Sequence, residues 1–99
     1  MTKIENIKNM ISFAMCQFGY NDIDYTTEEL ITLENQKLKI RFYEENDFDI
    51  VFDVSYDDTL MCFTCYICIK SSPYSSLTSN EMFLKHMNTI KECIEYEIW

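Results

Sequence analysis

Glycine and proline are nearly missing from this chain: Gly19 and Pro73 are single occurrences, as are Ala14, Arg41 and His86. One isolated glycine cannot build a phosphate-cradling loop, a dinucleotide fingerprint or a glycine-rich oxyanion turn, and no zinc-hydrolase helix motif is present, so the usual catalytic signatures are excluded. Basic residues are also scarce. Eight Lys and Arg against seventeen Asp and Glu leave a net charge of -9, which repels nucleic acid and anionic membrane surfaces. Direct binding to either is not expected. No apolar run approaches the roughly 18 residues that span a bilayer. The opening MTKIENIKNM carries polar groups where a secretory signal would need an apolar segment. The expected location is the cytoplasm, that of the host cell if a phage encodes the protein.

What the sequence does contain is enough apolar side chain for one core. Its 99 residues are 47% hydrophobic, which suits a single α+β domain over 1–99 and leaves no room for a second. Ile4, Ile7, Ile11, Ala14 and Phe18 recur at helical spacing over residues 2–18, behind a Thr2-x-x-Glu5 capping box and ahead of Gly19 as the C-cap. From Glu29 to Lys70 the period becomes two, which predicts a four-stranded antiparallel meander. A two-residue turn at Asn35-Gln36 sets Leu33 opposite Leu38 and Ile31 opposite Ile40. A three-residue loop at Glu45–Asp47 sets Phe42 opposite Ile50 and Ile40 opposite Phe52. A turn at Asp57-Asp58 sets Val54 opposite Met61, Phe52 opposite Phe63 and Ile50 opposite Cys65.

A second helix is expected from about Ser79, behind a Thr78-x-x-Glu81 box and a Leu77–Met82 staple, with Phe83, Met87, Ile90 and Ile94 as its buried stripe. The resulting architecture is α-β-β-β-β-α in two layers, both helices on one sheet face and the other face open.

Cys62, Cys65 and Cys68 share the C-x-x-C-x-x-C spacing of bacterial ferredoxins. The residues between them are strand formers without glycine, and alternation sends Cys65 to the face opposite the other two, so no metal or cofactor is expected. Five cysteines cannot all pair internally, and in a reducing compartment they stay free thiols. His86 and Cys93 lie two helical turns apart, about 10 Å, too far for a catalytic dyad. His86 therefore reads as a histidine at the core border, with contact to Cys16 of the first helix left open.

The chain's distinctive chemistry is negative charge. Asp49, Asp53 and Asp57 recur on one strand face about 13 Å apart, but Lys39 falls opposite Asp53 with Lys37 and Arg41 diagonal to it, a partly self-neutralising ladder. The run EENDFD at the middle hairpin tip is the densest acidic stretch, and Asp57-Asp58 adds a second acidic turn. Acids on projecting turns can replace phosphates in contacts with Arg and Lys. Val51, Cys62, Thr64, Tyr66 and Cys68 give the open face an apolar patch suited to a protein contact or a homodimer.

The reading that follows is a small, acidic, non-enzymatic binding protein. It would inhibit a nucleic-acid-handling partner with a basic surface, in the manner of phage anti-CRISPR or anti-restriction inhibitors. Its partner-binding residues would be Glu44, Glu45, Asp47, Asp49, Asp57, Asp58, Val51 and Tyr66. In topology and charge the chain also resembles the chaperones of bacterial secretion systems. The alternative reading is a dimeric protein of that chaperone kind, or an immunity protein, holding a protein client on its open sheet face.

Overall fold

The computed structural model describes residues 3–20, 23–32 and 35–98. The chain runs α1 (Lys3–Gln17), β1 (Tyr25–Ile31), β2 (Gln36–Glu44), β3 (Phe48–Asp57), β4 (Cys62–Ser71) and α2 (Phe83–Glu95). The strands form one antiparallel sheet in sequence order, and both helices cover one face of it. The α+β arrangement is the one the periodicity implies.

Alternation explains the layers. Leu38, Ile40 and Phe42 of β2, Phe48, Ile50, Phe52 and Val54 of β3, and Phe63 and Cys65 of β4 point to the helices and are buried. From α1 come Ile4, Ile7, Ile11 and Met15; from α2 come Phe83, Met87, Ile90 and Ile94. Phe52, fully buried at the centre, sets the scale: truncation to Ala would cost about 3–5 kcal/mol.

α1 ends where the sequence says it should. Gly19 takes φ +90, the Tyr20 amide donates to the Met15 carbonyl and the Gly19 amide to that of Cys16, which closes the last turn as a Schellman cap. Met15 replaces the expected Ala14 and Phe18 in the fully buried set; those two are half-buried. The capping role expected for Thr2 lies outside the described residues.

Of the three hairpins, the middle one has the expected register, Phe42 with Ile50 and Ile40 with Phe52, and Asn46 supplies the left-handed turn residue at φ 64. The other two are displaced. Ile40 pairs with Thr27 and Leu38 with Glu29, four residues from the expected partners. Here Thr32 and Asn35 close the connection, the Thr32 amide donating to the Asn35 carbonyl and the Asn35 amide to the Thr32 hydroxyl. Leu33, expected opposite Leu38, lies outside the described residues.

Between β3 and β4, Val54 pairs with Cys65, Phe52 with Ile67 and Ile50 with Ile69. The Asp57 carboxylate accepts from the Thr59 and Leu60 amides and Met61 adopts φ 55, so the loop is longer than a two-residue turn. Both displacements are even, so every side chain keeps its expected face.

α2 begins at Phe83 rather than Ser79. The Thr78–Glu81 box does not form. The buried Ser75 instead accepts from the Thr78 amide through its hydroxyl, and Asn80 accepts from the Met82 amide through its side chain, so the segment folds as turns up to Met82. Of the expected staple, Leu77 packs against the core and Met82 stays exposed.

Candidate functional site

The β2–β3 turn gathers the acids singled out in EENDFD. Strand alternation sends Asp49 to the open face, while the turn itself points Glu44 and Glu45 into solvent and leaves Asp47 half-exposed. The Asp47 amide donates to the Glu44 carbonyl, and the Ser72 amide donates to the Asp47 carbonyl at 2.7 Å. The tip is thereby held against the end of β4 by its main chain, which leaves the carboxylates unused. Between tip and strand end lies an open groove of about 590 Å3 whose walls include Arg41, Asp49 and Lys70.

Asp49 behaves differently from its neighbours. Arg41 Nε and Nη2 donate to its two carboxylate oxygens at 2.8 and 2.7 Å, a bidentate pair. The Arg41 guanidinium also stands 4.8 Å from the Tyr43 ring centroid. The hydrogen bond from Arg41, with a smaller attraction to Lys70, holds the Asp49 carboxyl below its ordinary range. Arg41 was expected diagonal to Asp53; it bonds Asp49 instead, because a long guanidinium reaches that diagonal across the twisted ladder. Asp49 is thus neutralised locally. Among the described residues no ion pair reaches Glu44, Glu45, Asp47 or Asp58. Asp57 binds its own turn, as noted, and so serves the loop's shape.

The open face is striped. Lys37, Lys39 and Arg41 line β2, Asp49, Asp53 and Asp57 line β3, and Lys39 stands opposite Asp53 in register, with no ion pair between the two among the described residues. On β4 the face is uncharged until Lys70: Cys62, Thr64, Tyr66 and Cys68. Tyr66 is 72% exposed, Val51 is half-buried beside Cys68, and the hydroxyls of Ser55 and Thr64 meet at 3.0 Å. The two patch residues expected to bind a partner, Val51 and Tyr66, are therefore on this face but in different rows.

Cys65 lies on the helix-covered face and Cys62 and Cys68 on the other, as alternation requires. Burial pushes the Cys65 thiol up to about 12. His86 meets residues the sequence reading did not pair with it: its ring stacks on Phe18 and its Nδ1 bonds the Tyr20 hydroxyl. Only the aromatic density around Gly19 could have signalled that contact.

Compared with protein-family models, curated proteins and solved structures, the chain matches none.

Proposed function

We propose that this chain is a non-enzymatic, cytoplasmic binding protein whose β2–β3 tip occupies a basic groove on a partner that handles nucleic acid, and so inhibits it. One observation carries the reading: Glu44, Glu45 and Asp47 project from a main-chain-anchored turn with no cation among the described residues committed to them, in a chain of net charge -9. Carboxylates on an anchored hairpin tip present acceptors to Arg and Lys side chains that otherwise bind phosphate. Asp58, free on the opposite end of the sheet, strengthens long-range attraction rather than the same contact. Asp49 belongs to the shape of the tip through Arg41, and contributes less to recognition than sequence position suggests.

A triple variant, Glu44→Gln, Glu45→Gln and Asp47→Asn, tests this. Two charge-assisted contacts of about 1.5–3 kcal/mol each would weaken binding by roughly a hundredfold or more. The proteins captured from a native lysate by the parent chain should be enriched in nucleic-acid handlers and lost from the triple variant, while Asp49→Asn retains them. Equal capture by all three would end the proposal.

A second use is favoured by Tyr66, whose exposure beside Cys68 and Val51 leaves an uncharged patch on an otherwise charged face. That patch suits a protein client of the chaperone or immunity-protein kind.

A further inference from the structure

The sheet has two free edges, and they are not alike. β1 carries Glu28 and Glu29 at its middle, and all seven of its residues are exposed. A second β1 laid against it would bring carboxylates together, the ordinary way an edge strand is protected. β4 has no such protection. Its ten residues pair with β3 without a bulge from Asp57–Cys62 to Phe48–Ser71, contain no proline, and carry one charge, Lys70, near the end. It is also the one strand of the four without a carboxylate. In a chain of net charge -9, contact between copies is least opposed there.

The elements beside this edge add to the argument. On one side stand the exposed Tyr66 and, at the β3–β4 turn, Leu60 and Met61, 67% and 77% exposed. On the other lies α2. His86 faces α1 through Phe18 and Tyr20. Leu84, two residues earlier, sits about 160° round the helix and so faces away from α1, toward β4's outer side. It is 65% exposed. Lys91, two turns on from Leu84, bridges Glu95 at 3.9 Å on that same flank, and α2 packs against β4. Where the two-fold axis crosses α2 between Lys91 and Glu95, each cation meets the other copy's carboxylate.

The geometry points to the outer edge of β4 and the Leu84–Lys91 flank of α2 as a seam between two copies of this chain, paired antiparallel into one continuous sheet with the helices on one side. The seam is separate from the acidic tip and stands or falls without it.

Sedimentation equilibrium over the micromolar range tests the seam. The parent chain should sediment at twice 11.9 kDa. Leu84→Glu, which puts a carboxylate in the seam at an exposed site, should weaken dimerisation by about tenfold or more. Lys91→Glu should weaken it too, and adding Glu95→Lys should restore it. Leu30→Glu, on β1, should leave it unchanged. Hydrogen exchange at rising concentration should show new protection at β4 amides and none at β1. A monomer throughout, or a dimer indifferent to Leu84→Glu whose protection grows elsewhere, would overturn the assignment.

Discussion

The Tyr20 hydroxyl lies 2.8 Å from Nδ1 of His86, whose ring stacks on Phe18 with centroids 4.1 Å apart and planes 5° from parallel. These contacts join the end of α1 to the first turn of α2, while Lys3 and Glu97, 3.0 Å apart, join their other ends, so the helices run antiparallel. Tyr20→Phe removes one part-buried hydrogen bond and should cost about 1 kcal/mol. His86→Ala also loses the stack and should cost more. Urea denaturation measures both; equal costs would mean the ring contact contributes nothing.

Thiol reactivity should follow the two faces of β4. Cys16 and Cys68 are exposed and should alkylate first, Cys65 last by a wide margin. The same burial makes stability fall in alkali. Unfolded, the Cys65 thiol ionises near its ordinary 9.0; folded, it holds its proton to about 12. Its contribution is thus complete below about pH 9 and is lost as pH rises toward 12. Cys65→Ala should flatten that part of the stability profile, with mass spectrometry following the alkylation order.

Asp49 should titrate below its ordinary 3.8 because Arg41 stabilises the carboxylate. A lowered folded value means its contribution is present above the ordinary value and lost as pH falls through the lowered one. Carboxyl NMR resonances would report the midpoint, and Arg41→Gln should move it upward. An unmoved midpoint would show that the bidentate pair does not persist in solution.

Met61 holds φ 55 at the β3–β4 turn, a conformation that costs most residues about 1 kcal/mol. Met61→Asn should raise stability by about 0.5 kcal/mol, since asparagine tolerates that region. Asn46→Val, at φ 64 in the acidic tip, should do the reverse and by more. Thermal melts of the two variants should shift in opposite directions.

The alternating pattern revealed which face each strand residue takes, because that depends only on parity; it could not reveal register where an even shift leaves the faces unchanged. Register in the outer hairpins was decided by local bonds, Asp57 to its own turn and Thr32 to Asn35, which compete with the shortest possible turn. At α2 the apolar stripe was legible and the start was not, since Ser75 and Asn80 accept from the Thr78 and Met82 amides and hold the intervening segment in turns. The acidic tip could be found by counting. That Arg41 chooses Asp49 over Asp53 depends on strand twist, and the partners of His86 come from 66 residues away, beyond any local pattern.

Among the described residues, β1 is bound to the rest of the protein by one ladder, the Tyr25–Phe42 ring contact and the Lys8–Glu29 pair, with every residue of the strand exposed. Little apolar area is lost when it lifts away, so it should open far more readily than the three-stranded remainder. Each opening bares the β2 main chain from Gln36 to Phe42, an edge whose outward side chains are Lys37, Lys39 and Arg41. The protein therefore holds a second pairing edge in reserve, one that only the lifting of β1 uncovers.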